Sequence, residues 1–222
     1  MKILAPDPFP LFSPAGDAAI LVTFGDAIRL ETNRRAHALA HLLARDGPQG
    51  LGEAVPGYVS LLVHYDPQRL DYARALAWVQ DCAGRAAELP LPIPRRVKVP
   101  VSYGGEAGLD LEFVARHCGL APQEVVRIHS AAEYPVFFLG FTPGFPYLGG
   151  LDARIAAPRL ETPRQHVPAG SVGIAGAQTG IYPLESPGGW RLIGRTTLRL
   201  FDAQRDPPAL LAPGDVVRFV PV

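Results

Sequence analysis

Two segments dense in glycine and proline constrain the fold of this chain more than any other feature of its sequence. Between Gly140 and Trp190 there are ten glycines and seven prolines, with aromatic and aliphatic residues among them. A disordered linker lacks such apolar content. The pattern is typical of tight turns and short strands with a defined backbone conformation, and loops of this kind often build functional sites.

The first part of the chain has the pattern of a small α+β layer. Residues 18–24 and 59–65 are short apolar runs that predict buried strands. Apolar residues recur at helical spacing in 31–45 and in 71–88, which predicts a helix after each strand. The order strand, helix, strand, helix favours helices packed on one side of a sheet.

A proline-rich string, Leu89-Pro-Leu-Pro-Ile-Pro94, is the strongest candidate for a domain boundary. Prolines at alternate positions forbid a helix and favour an extended connector. We therefore predict two domains, residues 1–90 and 91–222.

Beyond this connector, the pattern changes to strands and turns with two short helices. Asp110 is the predicted N-cap of a helix that ends before Gly119, and Pro122 begins a second helix that runs to about Ser130. Strands are predicted over 96–101, 136–139, 191–201 and 215–220. Many short strands joined by Gly/Pro turns predict a sandwich or a closed barrel.

Charge and composition exclude several classes of function. The formal net charge is zero, so the chain lacks the basic surface expected for binding nucleic acid or an anionic membrane. Its two cysteines, Cys82 and Cys118, do not form a disulfide framework. The N-terminus has no apolar run typical of a signal peptide, and no stretch approaches the roughly 18 apolar residues of a membrane span. We expect a cytoplasmic protein.

Common catalytic motifs are absent from the sequence. It contains neither a P-loop nor a Gly-x-Gly-x-x-Gly dinucleotide fingerprint. The string Ala169-Gly-Ser-Val-Gly173 is similar to a nucleophile elbow, but Ala stands where that motif requires Gly. No base for Ser171 is evident, so a triad serine is not expected. No bound metal is expected in this chain alone.

An aromatic loop and a group of neutral polar residues are candidates for a binding site. Thr142-Pro143-Gly144 has Pro and Gly where a type II turn requires them, and the turn presents Phe141 and Phe145 beside exposed backbone groups. For each aromatic residue taken by itself, a place in the core is the favoured alternative. Neutral polar side chains among small residues are supplied by Gln178, Thr179 and Tyr182. Together these residues predict a polar-lined cleft beside an aromatic wall.

Three charged or titratable residues are candidates for catalysis. Arg159 and Arg164 each follow a proline, and guanidinium groups on such stiff loops suit recognition of carboxylate or phosphate. The alternative for either is a surface ion pair with Glu161. His129 ends a predicted helix, where the helix dipole favours its protonated form; the alternative is a role in acid–base chemistry or substrate contact.

Several long strings are similar to those of the 5-oxoprolinase B-subunit family, also called KipI-like or allophanate hydrolase subunit 1. They are Phe138-Leu-Gly-Phe-Thr-Pro-Gly-Phe-Pro-Tyr-Leu-Gly149, Pro168-Ala-Gly-Ser-Val-Gly-Ile-Ala-Gly176 and Pro187-Gly-Gly-Trp-Arg-Leu-Ile-Gly-Arg-Thr196. The resemblance covers nearly the whole chain. It implies an α+β N-terminal domain followed by a mainly-β, cyclophilin-like barrel domain that carries the site.

The resemblance also implies an activity and partners. The family is expected to hydrolyse 5-oxoproline to glutamate at the expense of ATP, with Mg²⁺, in a complex with the A subunit of the enzyme and with a homologous barrel protein, its C subunit. A five-membered lactam is a poor electrophile because its nitrogen lone pair is delocalised into the carbonyl. Phosphorylation of the carbonyl oxygen removes that resistance and lets water open the ring.

This resemblance suggests a role for each candidate residue. Arg159 and Arg164 are candidates for binding the substrate carboxylate or the γ-phosphate, and His129 for orienting or moving a proton. The residues assigned to binding substrate or nucleotide are Phe141, Thr142, Gly144, Phe145, Gln178, Thr179 and Tyr182. Few carboxylates near the site could hold Mg²⁺, namely Asp152, Glu161 and Glu185, and the homologous barrel protein is an alternative source.

Two other interpretations remain open. Similar barrel modules occur in the carboxyltransferase part of urea carboxylase, but they lack the Phe-Thr-Pro-Gly-Phe loop kept here at 141–145, and this chain has no biotinylation motif. KipI-like proteins have been named as inhibitors of a sporulation histidine kinase. A flat apolar patch over 138–190 favours that regulatory role, whereas an enclosed polar cleft favours an enzyme.

Overall fold

The computed structural model describes residues 8–87 and 93–222. Contacts divide the chain into two compact units, 1–93 and 94–222. Most of the proline-rich connector, and with it the predicted boundary between residues 90 and 91, lies outside the described residues. The independence of the two units as domains stays a prediction.

The first unit is an antiparallel sheet with two helices. Its strands and helices are β1 (Leu11–Pro14), β2 (Ala19–Thr23), α1 (Leu30–Asp46), β3 (Leu51–Pro56), β4 (Ser60–Tyr65) and α2 (Tyr72–Ala86). The strands lie in the order β1-β2-β4-β3. Helix α1 packs against α2, β3 and β4, and buried aliphatic residues fill the space between them, among them Ile20, Val22, Leu39, Leu42, Leu61, Val63 and Val79.

The predicted order of strand, helix, strand, helix is incomplete, because each predicted strand has a further strand beside it. Strands β1 and β3 lie at the two edges of the sheet, and their side chains are mostly exposed or half-buried. An edge strand with little buried surface has a weak apolar pattern, which explains why only β2 and β4 are evident from the sequence.

The second unit contains nine strands and two α-helices. They are β5 (Arg96–Tyr103), α3 (Leu111–Cys118), α4 (Pro122–Ala131), β6 (Tyr134–Leu139), β7 (Pro146–Leu148), β8 (Arg164–Val167), β9 (Ser171–Ala175), β10 (Gln178–Ile181), β11 (Ser186–Gly188), β12 (Arg191–Arg195) and β13 (Val216–Pro221). A short 3-10 helix, Ala153–Ile155, follows β7.

Seven of these strands close into a barrel in the order β10-β7-β6-β13-β5-β12-β9. Strands β5 and β13 are parallel, and the other described pairs in the barrel are antiparallel. Closure pairs every barrel strand on both sides and so removes exposed sheet edges. Strands β8 and β11 form a separate two-stranded sheet. A barrel was one of the two architectures expected; its likeness to cyclophilin stays a prediction.

The helix ends in this unit follow the local sequence. Gly119 follows α3 with φ +67°, and the amide of Leu120 donates to the carbonyl of Ala115, as in a Schellman motif. Pro122 is the first residue of α4. The predicted strand 191–201 ends early, at Arg195, because the following residues leave the barrel as a loop. Within the described ranges, no helix has the length and apolarity needed to cross a bilayer.

Candidate functional site

The loop between β6 and β7 contains two consecutive tight turns. The amide of Phe145 donates to the carbonyl of Thr142 at 3.0 Å, and Gly144 has φ +80°, so residues 142–145 form the expected type II turn. Just before it, the amide of Thr142 donates to the carbonyl of Gly140 at 2.8 Å. Phe141, in the middle of that γ-turn, has φ +67°, and no other described residue except glycine has a positive φ.

Five aromatic rings pack together beside this loop and form the aromatic cluster: Phe141, Phe145, Tyr147, Tyr182 and Trp190. The ring of Phe145 meets Tyr182 and Trp190 edge to face, with centroids 5.3 and 5.4 Å apart. Both Phe145 and Tyr182 are buried, whereas Phe141 is 63% exposed. Of the predicted aromatic residues, Phe141 is therefore the one whose ring is open to a ligand or a partner.

Arg159 lies over this cluster. Its guanidinium carbon is 5.9 Å from the centroid of the Trp190 ring, within the range of a cation–π contact, and the side chain is exposed. Burial raises the pKa of the Tyr182 hydroxyl, and the positive charges of Arg159 and Arg164 oppose that rise. The charges of Arg159 and Arg164 thus act on the Tyr182 hydroxyl, and a joint role for the three residues at one site stays a prediction.

Arg164 does not pair with Glu161; its partner is Asp110, 54 residues away. Nη2 of Arg164 donates to Oδ1 of Asp110 at 3.0 Å, and Nη1 lies 2.9 Å from Oδ2. The Arg164 side chain is 27% exposed, against 8% for Asp110. The guanidinium is therefore held by an ion pair with one hydrogen bond, while its buried Nη1 has no hydrogen-bond partner among the described residues and another part of the side chain stays exposed.

Asp110 occupies the N-cap position predicted for it, but its side chain makes no capping hydrogen bond to α3. Its Oδ2 instead accepts a hydrogen bond from the amide of Leu192 at 2.7 Å. Arg191 approaches Oδ1 at 3.7 Å and also stacks over the ring of Phe113. One buried carboxylate thus links α3 to β8 and β12, and two guanidinium groups share it.

His129 lies on α4, and its side chain is fully buried against the barrel. Its Nδ1 lies 2.7 Å from the hydroxyl of Tyr103, and its Nε2 lies 3.0 Å from Oγ1 of Thr179. Thr179 donates to the carbonyl of Gly173, so it accepts from Nε2 and the imidazole carries its hydrogen there. Burial lowers the pKa of His129 to about 3, which keeps it neutral at pH 7.

His129 therefore joins α4 to the barrel wall, because both of its ring nitrogens are hydrogen-bonded to barrel residues. Its ring also stacks on that of Phe219, with the centroids 4.4 Å apart. A proton-transfer role for it stays a prediction. Thr179 points into the same buried network and is 0% exposed. Gln178 precedes it at the start of β10, and neighbouring side chains in a strand face opposite sides of the sheet. The structure therefore does not direct both side chains to one ligand.

An open cleft of about 780 Å³ adjoins the aromatic cluster, and none of the ten predicted site residues lines it. Its walls include Arg195, Arg199 and Phe201, which sequence reasoning did not select. Arg195 belongs to the string Gly194-Arg-Thr-Thr197 at the end of β12. An arginine and two hydroxyl residues where a strand runs into a loop is the pattern that could have indicated this cleft.

Potential metal ligands do not gather in the structure. In the two described ranges, no three side chains of His, Cys, Asp or Glu come together as metal ligands do. The carboxylate of Asp152 pairs with Arg154, and that of Glu185 lies 3.1 Å from His166. The carboxylates considered for Mg²⁺ are therefore spread over separate contacts.

The family model of the carboxyltransferase domain, subdomain C and D, matches residues 10–211 of this chain. A curated relative, the B subunit of the 5-oxoprolinase of Bacillus subtilis (strain 168), is 47% identical over 216 residues, which cover 92% of this chain and 90% of that protein. The resemblance seen in the glycine- and proline-rich strings is thereby confirmed over nearly the whole chain.

Two solved structures share the fold. The crystal structure of TTHA0988 aligns with a TM-score of 0.82 and 44% identity over 92% of this chain, but over only 40% of its own length. The urea amidolyase of K. lactis aligns with a TM-score of 0.76 and 26% identity over 95% of this chain and 15% of its own. The urea amidolyase is the more distant relative, since it is 26% identical to this chain and the Bacillus protein 47%. The chain thus belongs to the carboxyltransferase-domain family of subdomains C and D, and within it to the 5-oxoprolinase B-subunit family.

Proposed function

We propose that this chain is the B subunit of an ATP-dependent 5-oxoprolinase, which hydrolyses 5-oxoproline to glutamate together with the A and C subunits. The observation that carries the proposal is the 47% identity to the B subunit of a 5-oxoprolinase over about nine-tenths of both chains. In this proposal the chain acts as part of the complex and has little or no activity alone, which the naming of its relative as a subunit supports.

The candidate site supports a role in binding an anionic substrate. The 5-oxoproline ring carries a carboxylate, and the exposed guanidinium of Arg159 lies beside the aromatic cluster, where an apolar ring can pack. Arg164 has an open face in spite of its ion pair with Asp110. In this proposal Arg159 binds the carboxylate, and Arg164 stabilises negative charge on the lactam oxygen while that oxygen is phosphorylated.

ATP and Mg²⁺ fit this chain to different degrees. The phosphates of ATP require cationic groups, and arginines are present both at the aromatic cluster and in the adjoining cleft. Mg²⁺ requires oxygen ligands in octahedral geometry, and no group of three candidate ligands occurs among the described residues. The proposal therefore assigns the protein ligands of Mg²⁺ to a partner in the complex.

Glutamate release from 5-oxoproline and ATP, measured with the three purified subunits, tests the function. We expect turnover to require this chain and to disappear when it is omitted. Arg159→Gln is expected to lower kcat/KM by about tenfold or more, because the lost contact is charge-assisted. Arg127→Gln is the matched control, since Arg127 is exposed and pairs with Glu124 on its own helix α4.

Arg164→Lys is a second variant that keeps the positive charge but loses the planar guanidinium that Asp110 orients. We expect an intermediate loss of activity with unchanged assembly of the complex. Turnover by the other two subunits without this chain, at the rate of the full complex, would contradict the proposed function.

A further inference from the structure

The cleft beside the aromatic cluster has the size of a small-molecule site. Its volume of about 780 Å³ lies within the range of roughly 300–1,000 Å³ that is usual for ligand pockets. All of its lining residues belong to the second unit.

The polar part of the cleft is cationic. Arg195 and Arg199 line it, together with the hydroxyl residues Ser102, Thr196 and Thr197, and no aspartate or glutamate is among its lining residues. Nε of Arg195 donates to the carbonyl of Ala169 at 3.0 Å, and no carboxylate in the described part of the chain forms an ion pair with it. Such a guanidinium, oriented by the backbone and not neutralised by an acid, suits an oxyanion.

Both arginines are carried by braced parts of the unit. Arg195 lies in β12, opposite Ser102 of β5 and Ser171 of β9. Arg199 lies in a loop that Arg205 stabilises by hydrogen bonds to its backbone. Nη2 of Arg205 donates to the carbonyls of Leu200 and Pro208 at 3.3 and 2.9 Å. Arg199 also pairs with Asp202 at 3.0 Å. The backbone contact of Arg195 therefore positions its guanidinium before any ligand arrives, which lowers the entropic cost of binding. Arg199 is 74% exposed, and its surface ion pair with Asp202 is weak enough to be exchanged for a phosphate.

The remainder of the cleft is apolar. Phe201 and Leu184 contribute to its walls, and Leu184 is one of the few large apolar side chains left exposed. Phe201 packs against Gly144 of the type II turn, and Leu184 lies two residues beyond Tyr182, so the cleft lies next to the segments that carry the aromatic cluster. An apolar wall facing two arginines favours a ligand that has both an apolar ring system and a strongly anionic group.

We propose that this cleft binds a nucleoside phosphate, with phosphate oxygens at Arg195 and Arg199 and the base against Leu184 and Phe201. The assignment rests on the proposed function, because it names where on this chain the nucleotide of that reaction is bound. A substrate carboxylate shares the oxyanion chemistry, but 5-oxoproline has only a single five-membered ring to fill the apolar wall.

Binding of ATP to the full chain and to the three-subunit complex, measured by calorimetry, tests the assignment. We expect the double variant Arg195→Gln, Arg199→Gln to bind ATP about tenfold more weakly or worse, since charge-assisted hydrogen bonds are lost. The variant Arg127→Gln is expected to bind ATP as the natural chain does. Inorganic triphosphate, which lacks the base, is expected to bind more weakly than ATP and to lose affinity in the same double variant.

Other results of the same measurements would contradict the assignment. An ATP affinity unchanged in the double variant, or a dependence on these two arginines for 5-oxoproline and not for ATP, would overturn the assignment. Turnover separates this outcome from failure of the proposed function. If the natural complex releases glutamate and the double variant does so with the same KM for ATP, the cleft assignment is wrong and the function stands. If the natural complex releases no glutamate but ATP binding still requires the two arginines, the function is wrong and the cleft assignment stands.

Discussion

Phe141 combines a costly backbone conformation with an exposed side chain. A positive φ costs a residue other than glycine about 1–2 kcal/mol, and little of that is recovered by burial when 63% of the residue is exposed. Strain of this kind is often kept at functional positions. The exposed ring next to the buried Phe145 is therefore not part of the core, and its role as a contact point at the candidate site stays a prediction.

Substitutions at these two phenylalanines are expected to have very different effects on stability. Phe141→Asn should leave the free energy of unfolding within about 1 kcal/mol of the natural chain, because Asn tolerates a left-handed backbone. Phe145→Ala should lose about 3–5 kcal/mol, because it opens a cavity among buried rings. Urea unfolding followed by tryptophan fluorescence measures both. Equal losses in the two variants would show that the Phe141 ring is structural.

His129 should make the stability of the fold depend on pH. Its folded pKa is about 3, whereas the free side chain has a value of 6.5, so below pH 6.5 the unfolded chain binds a proton that the folded chain does not. This contribution to stability is therefore present above pH 6.5 and is lost as the pH falls toward 3. Between pH 7 and pH 5 the loss is about 2 kcal/mol.

Comparing the free energy of unfolding at pH 7 and pH 5 checks this effect. His129→Gln should show a smaller decrease than the natural chain, by about 2 kcal/mol. His41→Gln, at an exposed position of α1, should show the same decrease as the natural chain. An NMR titration of the natural chain gives an independent check, since the His129 imidazole should remain neutral at pH 5. Protonation of His129 near pH 6.5 would contradict its burial in the bonded network.

At the scale of whole elements, the site is held together by contacts between distant segments. Asp110, at the start of α3, binds Arg164 of β8 and the amide of Leu192 in β12. The small sheet of β8 and β11 is thereby joined to the barrel next to the aromatic cluster. The position of Arg164 depends on this junction and not on the local sequence around it.

The end of β11 offers a direct test of how closely the backbone approaches the Tyr182 side chain. A Cβ atom at Gly188 would overlap the hydroxyl group of Tyr182, whereas one at Gly189 would have its nearest neighbour at 3.7 Å, an ordinary contact. Gly188→Ala should therefore lower the free energy of unfolding by about 1–3 kcal/mol and displace the Tyr182 ring. Gly189→Ala should stay within about 0.5 kcal/mol. Thermal and urea unfolding measure the stability of both variants. Equal stability of the two would refute the close approach of Gly188 to Tyr182.

At the scale of the whole molecule, each unit contains one of the two tryptophans, Trp78 in α2 and Trp190 in the aromatic cluster. In the variant Trp78→Phe, fluorescence reports on the second unit alone. If the units are independent domains, residues 94–222 expressed separately should fold, and Trp190 should show the same urea midpoint in that fragment as in the full-length variant. An unfolded fragment, or a midpoint shifted by more than about 1 M, would mean that the units stabilise each other.

Helices and tight turns were predicted most accurately, for a common reason. The predictions for α1, α2, α3 and α4 agree with the structure to within a few residues, because apolar spacing, proline and glycine act over a single turn. The turn at 142–145 depends on two adjacent residues and formed as expected. Strands β7 to β11 were not individually evident, since they are three to five residues long and lie among glycines and prolines.

Local chemistry and family membership could thus be read from the chain without its structure: the helices, the type II turn, the many-stranded second part, and the resemblance to the 5-oxoprolinase B-subunit family. The fold decided which side chains meet. It paired Arg164 with Asp110, buried His129 between Tyr103 and Thr179, and placed Arg195 and Arg199 in a cleft that no motif had indicated. Contacts of that kind join residues far apart in sequence, and they form only when the barrel closes, so a pattern within a short window can suggest candidate residues but cannot specify which of them meet.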